Sequence, residues 1–371
     1  MPITKALCIF GNMLGNMAMT SLLVETLARL PGIEPTFVFV NVEDYEKIPA
    51  SWWARATQPW HVEFVAREKA RQAASRPFDI LLVHGWEMAV AFRDLARRVP
   101  AAVMMDSVPA TVDTQRRRQG FKDWKRWLSH QVHHRAFQRA AREFDFFLPK
   151  SSDGAASLQR DYGVERERCL VTYAPQNLEV WKPGARRDSL PLRLLFVGND
   201  FARKGGDFLL RLYAEHLAGT SSLTIASNDP SIEARKLPPG VQWLRGLKRD
   251  QLVEVYRASD LFVFPSRQDY APQVLAEALA SGLPSLVNDF DGARDLVQDG
   301  ETGFVFTLDA PAEVWAERVK RIAANPGELA RMSARARQVA EEKLGLDRFE
   351  RLITEVIEKL RAACGDAGRG A

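Results

Sequence analysis

The sequence predicts two Rossmann-like, doubly wound α/β domains. Its 371 residues exceed what one ordinary hydrophobic core organises. Short, almost continuously apolar runs alternate with segments of helical periodicity, which is typical of parallel sheets covered on both faces. The alternation is interrupted at EVWKPGARRDSLP and then starts again. We therefore expect an N-terminal domain over 1–185 and a C-terminal domain over 186–349.

The first half opens with a strand (KALCIFG), a helix (MTSLLVETLARL) and a second strand (PTFVFVNV). Two further strands, FDILLVHG and AAVMMD, precede a basic helix over about 121–142. The apolar runs FDFFLPKS and CLVTYAP follow this helix. Each run is short and rich in residues that favour strands, so this half predicts one parallel sheet.

The second half contains six strand candidates, LRLLFVG, SLTIAS, VQWLRG, LFVFPS, PSLVND and GFVF. Helical patterns such as GDFLLRLYAEHL and DQLVEVYRAS lie between them. A closing helix over about 350–366 has apolar residues at helical spacing, and we expect it to pack back on the first domain. Because ligands of open α/β sheets bind beyond the carboxyl ends of the strands, a cleft between the two domains is the expected site.

Composition restricts the class of protein. The three cysteines, Cys8, Cys169 and Cys364, are far apart and odd in number, which fits neither a zinc site nor a disulfide framework. The N-terminal residues lack the pattern of a signal peptide, and no run approaches the ~18 apolar residues of a membrane span. The net charge is only +4, and the basic residues in excess are concentrated in one segment, which argues against a nucleic-acid partner. These features predict a cytoplasmic protein.

The segment PSRQDYAPQVLAEALASGLP contains a helix start without an obvious cap. Pro272 suits the first helical position, and the preceding Ala271 has no side-chain oxygen with which to cap the helix. The amides of Gln273 and Val274 are then left without an internal acceptor. A helix N-terminus with free N–H groups is a site for an anion such as a phosphate.

Glu277 follows in an apolar stretch of the same helix, one turn below those amides. Helical side chains lean toward the N-terminus, so its carboxylate can accept hydrogen bonds from a ligand held there. Two hydroxyls beside a phosphate describe the ribose of a nucleotide. The alternative is that an internal arginine such as Arg294 neutralises Glu277, because buried charges need partners.

A second motif, LLFVGNDFARKGGDFLL, joins a strand to a helix through a basic, glycine-containing loop. Arg203 and Lys204 precede two glycines, which allow a ligand to approach the backbone closely. Two fixed cations at this place suit a diphosphate.

Together these segments resemble the family 4 (group 1) retaining glycosyltransferases of GT-B fold. The motifs RKGG, PSRQDYAPQVLAEALASGLP and DGARDLVQDGETG carry the resemblance, which extends from Arg193 to Phe306 and more weakly over Tyr162 to Pro183. The chain departs from the family pattern at five positions: Asn199 for Arg, Asp269 for Glu, Pro272 for Gly, Asp291 for Gly and Asp295 for Glu.

The resemblance implies transfer of a hexose from a nucleotide diphosphate sugar to a hydroxyl of a saccharide, a lipid-linked saccharide or another small acceptor. It implies retention of anomeric configuration, and neither a metal nor another cofactor. Arg203 and Lys204 would balance charge on the diphosphate, and Asp269 would position the sugar hydroxyls. The remaining donor-binding residues implied are Gly15 in the loop GNMLGNM, Tyr270, Ala271, Gln273, Val274 and Glu277.

The resemblance implies that the first domain binds the acceptor. It also implies a catalytic role for two polar residues that end strands of this domain. His84 ends ILLVH and Asp106 ends AVMMD. Capping of the following loop is an equally simple role for each. Two other functions remain open for the whole chain: a nucleotide-sugar epimerase of GT-B fold, and a non-catalytic, two-lobed sugar-binding protein.

The segment 116–128 is basic and aromatic. Phe121, Trp124, Trp127 and Leu128 recur on one side of the predicted helix, and Arg116 to Arg118 precede them. An aromatic face flanked by cations suits peripheral contact with an anionic membrane, such as the inner face of the cell membrane. The alternative is that this face packs on the first domain.

Overall fold

The computed structural model describes residues 3–12, 17–45, 58–118, 124–185 and 191–367. They form two compact units. Met1–Tyr173 and Asp347–Ala371 make up the first, and Ala174–Leu346 make up the second. Each unit is an α/β structure around a parallel sheet, so the predicted fold class, two Rossmann-like doubly wound units, is confirmed.

The sheet of the first unit has five parallel strands among the described residues, in the order β2-β1-β3-β4-β5. Their bounds are β1 Thr4–Asn12, β2 Ile33–Asn41, β3 Ile80–His84, β4 Ala101–Met105 and β5 Phe146–Pro149. The helices of this unit are α1 Met17–Arg29, α2 Val42–Tyr45, α3 Gln58–Ala74, α4 Trp86–Ala91, α5 Arg93–Ala96, α6 Pro109–Arg118, α7 Trp124–Ala140 and α8 Ser152–Tyr162. All residues of β3 and β4 are buried, which explains their nearly continuous apolar sequences.

One further helix, α15 (Leu346–Ala367), completes the core of the first unit. Its residues Phe349, Ile353, Ile357 and Leu360 are buried against the sheet face that carries the side chains of β1 such as Phe10. Their spacing of three to four residues places them along one face of the helix. The burial of this face holds α15 on a sheet formed from residues far earlier in the chain.

The two units divide at Tyr173/Ala174, ahead of the predicted boundary at 185/186. Residues after Ala174 already contact the second unit. The Gln176 amide donates to the Leu344 carbonyl at 2.6 Å. Trp181 packs edge-on against Tyr256, with ring centroids 5.3 Å apart. The segment at which the sequence pattern is interrupted therefore contributes a core residue, Trp181.

The sheet of the second unit has six parallel strands in the described residues, in the order β11-β10-β9-β6-β7-β8. Their bounds are β6 Leu192–Val197, β7 Ser221–Ala226, β8 Val241–Leu244, β9 Leu261–Phe264, β10 Ser285–Asn288 and β11 Gly303–Phe306. Its helices are α9 Gly206–Leu212, α10 Arg249–Arg257, α11 Gln273–Ala280, α12 Ala293–Leu296, α13 Ala312–Ala323 and α14 Pro326–Lys343. The strand order reverses between β6 and β9, which is the switch point of a doubly wound sheet.

Three elements differ from their sequence-based expectations. The basic helix predicted over 121–142 is α7, which begins at Trp124 and ends at Ala140, and the separate α6 precedes it. The run CLVTYAP forms one isolated bridge, between Cys169 and Phe147, in place of a strand. α9 continues into a π-helical turn over Tyr213–Leu217.

In the portion of the chain that is described, no helix has the length and apolar character needed to cross a membrane.

Candidate active site

The loops that follow β6 and β9 meet at the switch point of the second sheet. From these neighbouring strands the chain continues to β7 on one side and β10 on the other, so a crevice forms beyond their carboxyl ends. Lys204 belongs to the first loop and Asp269 to the second. The Lys204 Nζ lies 2.9 Å from the Asp269 Oδ2. The fold thus joins a cation and a carboxylate from two separate motifs.

The surroundings of this ion pair hold it in place. Each side chain is only 14% exposed. The Lys204 ammonium lies 4.9 Å from the centre of the Phe264 ring, and the Ser266 Oγ is 3.3 Å from the Asp269 Oδ2. A Cβ on Gly198 would lie 2.6 Å from the Lys204 Cδ, so the glycine that ends the strand leaves room for the lysine side chain. Lys204 is therefore a fixed charge, unlike a solvated loop lysine.

Arg203 links the same two loops at their surface. Its Nε lies 2.6 Å from the Asp200 Oδ2, and its Nη1 donates to the Gln268 carbonyl at 2.8 Å. The side chain of Arg203 is 43% exposed, so a ligand can reach it. Gly205 has φ 81°, and a Cβ there would lie 2.1 Å from the Pro265 carbonyl oxygen. Only glycine permits this approach of the two loops.

The N-terminus of α11 differs in register from the sequence-based expectation. Pro272 was expected at the first helical position, but its ψ of 133° is extended, so Pro272 is the N-cap and the helix begins at Gln273. No side chain described in the structure caps this end. The Ala271 amide, expected to bind the donor, donates to the Asp291 carbonyl at 3.0 Å. Gln273 and Val274 are the first two helical residues, so no preceding helical turn offers their amides an acceptor.

Ala271 itself has an uncommon backbone conformation. Its φ is 46°, in the left-handed region that residues with a Cβ rarely adopt. The strand-like bridge between Tyr270 and Asp291 fixes the preceding residue. The Tyr270 hydroxyl also accepts a hydrogen bond from the Gln268 side-chain amide at 2.9 Å. The loop before α11 is thus held by its own contacts in a conformation that would be unfavourable in isolation.

Glu277 is hydrogen-bonded to a buried tyrosine. The Tyr256 hydroxyl lies 3.1 Å from the Glu277 Oε2 and 3.1 Å from the Val274 carbonyl. Burial raises the pKa of the Glu277 carboxyl to about 7, although the Tyr256 hydroxyl lowers it. Arg294 bonds to Asp289 at 3.1 Å, which contradicts the alternative in which Arg294 neutralises Glu277.

In the first unit, His84 and Asp106 lie at the ends of adjacent strands. The His84 Nε2 is 3.6 Å from the Asp106 Oδ1, and the His84 Nδ1 is 3.3 Å from the Thr20 Oγ1. Burial lowers the pKa of His84. α4 begins after Gly85 without a side-chain cap, so His84 does not serve as its cap, the simpler role considered for it. Asp106 forms an ion pair with Lys150.

Two residues of these clusters were missed by sequence reasoning. Lys150 directly follows the apolar strand β5, in the same relation to its strand as Asp106 has to β4, and this position was a usable signal. Tyr256 lies on the apolar face of α10, where a tyrosine is indistinguishable from an ordinary core residue.

Two further expectations concern Gly15 and a metal site. Gly15, expected near the donor phosphates, falls in 13–16 and lies outside them. Within the described ranges, no cluster of three or more His, Cys, Asp or Glu side chains has an arrangement that could hold a metal ion. Among the described residues of the second unit, Lys204, Arg203 and the N-terminus of α11 lie where an anionic ligand could bind.

The similarity to known proteins is carried mainly by the second unit. Residues 179–339 match the family model for glycosyl transferases group 1. Among the curated relatives to which the chain is similar is the D-inositol 3-phosphate glycosyltransferase of Rhodococcus jostii, at 30% identity over 228 residues, which are 55% of this chain and 50% of the relative. The namesake from Rhodococcus erythropolis is 32% identical, over 55% of this chain and 51% of the relative.

Solved structures share the fold of this chain. Sucrose-phosphate synthase from Thermosynechococcus elongatus superposes with a TM-score of 0.76 at 15% identity, covering 97% of this chain and all of that one (100%). Anabaena HepE, solved with UDP-glucose, gives a TM-score of 0.69 at 14% identity, covering 95% of this chain and 99% of that one. The GT-B fold is thus confirmed. The chain spans about half the length of the curated relatives it matches.

Proposed function

We propose that this protein is a retaining glycosyltransferase that moves a hexose from a nucleotide diphosphate sugar to a hydroxyl of a saccharide, a lipid-linked saccharide or another small acceptor. The observation that carries the proposal is the partly buried ion pair of Lys204 and Asp269 at the switch point of the second sheet. Retention rests on the family resemblance alone.

Glu277 and the start of α11 bind the nucleotide of the donor. The Glu277 carboxylate accepts hydrogen bonds from the two ribose hydroxyls, and the amides of Gln273 and Val274 face the diphosphate. Because Tyr256 occupies one oxygen of Glu277, the second oxygen is available to the ligand. Binding the ribose hydroxyls favours the ionised carboxylate over the protonated one.

Lys204 and Arg203 stabilise the departing diphosphate, where negative charge develops in the transition state. In the free protein each cation contacts a carboxylate, Asp269 for Lys204 and Asp200 for Arg203. The donor exchanges these contacts for its phosphate oxygens, and Asp269 then accepts from the hexose hydroxyls. With two cations and a helix N-terminus, the reaction needs neither a metal ion nor another cofactor.

The polar residues of the first unit bind the acceptor. His84 and Asp106 stand at the carboxyl ends of β3 and β4, where ligands of such sheets bind. Support for the donor class comes from Anabaena HepE, which was solved with UDP-glucose. Support for a small hydroxylated acceptor comes from the relatives named D-inositol 3-phosphate glycosyltransferases.

Incubation with a panel of UDP-, GDP- and ADP-sugars tests the proposal. Release of free nucleoside diphosphate that increases with added acceptor is the expected result. An epimerase would interconvert the nucleotide sugars without dependence on an acceptor, and a sugar-binding protein would bind them without turnover. Either result, or no release with any donor–acceptor combination, would overturn the proposal.

The segment 116–128 provides peripheral contact with an anionic membrane, in keeping with a lipid-linked acceptor. The proposal rests on its sequence, because 119–123 and several neighbouring side chains lie outside the described residues. Arg117 pairs with Asp113 at 2.6 Å, and Leu128 is exposed. Each Lys or Arg near the headgroups contributes roughly 1 kcal/mol to such binding.

Sedimentation with vesicles is expected to show binding to anionic lipid that weakens with salt. Changing Arg116, Arg117 and Arg118 to Ser should reduce the bound fraction. Changing three exposed lysines elsewhere, Lys182, Lys236 and Lys320, to Ser removes the same charge and should have little effect. Protein that stays in the supernatant with anionic vesicles at low salt would contradict membrane contact.

A further inference from the structure

Lys150 is a buried lysine at the carboxyl end of β5. Its amide donates to the Met105 carbonyl at 3.1 Å, which fixes it beside the end of β4. The residue as a whole is 4% exposed. A lysine in this position is unusual, because an ammonium loses several kcal/mol of hydration on burial.

The Lys150 ammonium forms an ion pair with Asp106, whose Oδ1 lies 3.6 Å from the His84 Nε2. His84 has no exposed side-chain surface, and the Lys150 side chain is 5% exposed, whereas that of Asp106 is 24% exposed. Among these three groups, Asp106 is therefore the one that a ligand can contact. The other two lie behind it and act on a ligand through it.

Lys150 determines the charge state of this cluster. Burial alone would raise the pKa of Asp106, yet the Lys150 charge and the contact with His84 bring it down to about 2. The other titratable group that acts on Asp106 is Glu87, in the first turn of α4, and burial raises its pKa to about 7. Asp106 is thus the ionised carboxylate beside a neutral histidine.

Stability alone does not account for such a pair. Replacing a buried ion pair with apolar side chains of similar volume often leaves a fold equally stable, whereas removing one partner destabilises it. A buried lysine paired with a carboxylate that is 24% exposed, at the ligand-binding end of a parallel sheet, indicates a functional site.

We infer that Lys150 is a positioning residue of the active site, which holds Asp106 as an oriented carboxylate that accepts a hydrogen bond from the acceptor hydroxyl. This inference rests on the proposed function and extends it. Lys150 acts through Asp106 and does not touch the acceptor. Its removal should therefore affect the acceptor and leave the nucleotide unaffected.

The test compares wild type with Lys150→Met, Lys150→Arg and the double variant Lys150→Met/Asp106→Asn. Lys150→Met should lower the melting temperature, because it leaves a buried carboxylate unpaired, and the double variant should recover it. Turnover should fall roughly 10- to 100-fold in both, as expected for a misplaced catalytic group. The affinity for free nucleoside diphosphate should stay at the wild-type value, and Lys150→Arg should restore part of the turnover.

A pH profile separates positioning from a purely structural role. Without the lysine charge the pKa of Asp106 rises, so the acidic limb of kcat/KM for Lys150→Met should move to higher pH than in wild type. The matched control is Arg67→Met/Asp94→Asn, which removes a half-exposed ion pair of 2.7 Å in the same unit and should leave turnover unchanged.

Two results would overturn the inference, and only the second of them would also overturn the proposed function. A double variant with wild-type turnover, in a preparation whose wild type is active, would show that the pair serves the fold alone. A wild type that releases no nucleoside diphosphate from any donor–acceptor combination would overturn the proposed function together with this role.

Discussion

Replacing Lys204 with Met should lower turnover by about 10²- to 10³-fold, the loss seen when a preorganised charge is removed from a transition state. Met keeps the unbranched apolar stem of the side chain, so the change removes the ammonium together with its contact with the Phe264 ring. Steady-state release of nucleoside diphosphate at saturating donor measures the effect.

The same substitution leaves Asp269 without its ion-pair partner, so folding must be measured in parallel. The double variant Lys204→Met/Asp269→Asn removes both charges and should recover any lost thermal stability but not turnover. Lys320→Met, on the exposed surface of α13, is the matched control and should behave as wild type. Turnover near the wild-type value for Lys204→Met would show that this lysine only holds the two loops together.

Changing Glu277 to Gln should weaken donor binding by ~1–3 kcal/mol, the range for hydrogen bonds to a charged group. Wild-type affinity should also depend on pH. Because the pKa of the free carboxyl is about 7 and the donor favours the ionised form, affinity should weaken as pH falls below 7. The limiting slope is about tenfold per pH unit for one proton. Calorimetric titration with the nucleoside diphosphate measures both effects.

Glu277→Gln should remove this pH dependence as well as lower the affinity. Equal affinity in the two proteins at pH 8, with intact folding, would contradict the ribose assignment. The carboxyl also affects stability: its contribution is fully present below the unfolded pKa of 4.5 and is lost as pH rises through about 7. Thermal unfolding of wild type should therefore show this loss, and Glu277→Gln should show a smaller one, because Glu87 of the first unit, whose pKa is also raised to about 7, still titrates in the same range.

Tyr256→Phe is the companion to this experiment. It removes the hydroxyl that lowers the pKa of Glu277, so the pH at which donor affinity weakens should move upward. Tyr213→Phe removes another buried hydroxyl of the same unit, bonded to the Ser221 carbonyl at 2.8 Å, and should leave that pH unchanged. If the pH at which donor affinity weakens moved equally in the two variants, the cause would be a general loosening of the second unit and not the loss of the hydroxyl beside Glu277.

The sequence predicted the fold because its strands are short, apolar and regularly separated. Burial on both faces leaves a clear pattern in β3 and β4, and the same holds for β9. The boundaries were less predictable. Pro272 satisfies the rules for the first helical position, but the left-handed Ala271 before it delays the helix by one residue. That φ value depends on a bridge to Asp291, which no local pattern reveals.

The sequence indicated candidate residues for the site but did not indicate the contacts between them. Motif spacing singles out Lys204, Asp269 and Glu277. It does not show that Lys204 and Asp269 bond to each other, because that contact joins loops 65 residues apart. Sequence reasoning missed Tyr256 and Lys150 for the same reason, because their partners are distant in sequence. Tyr256 belongs to an otherwise apolar helix face, and Lys150 follows an otherwise apolar strand.

The helix α15 has a consequence for the order in which this chain folds during synthesis. The second unit is one continuous segment, Ala174–Leu346, whereas the first needs Asp347 and the residues after it. Domains generally fold as units when their residues have emerged from the ribosome. Most residues of the first unit are made before the second unit, but part of an apolar face of its sheet stays uncovered until Phe349 to Leu360 arrive. Of the two units, the one whose strands are made earlier is therefore the one that is completed later, and in the meantime this exposed face is a surface that a chaperone can bind.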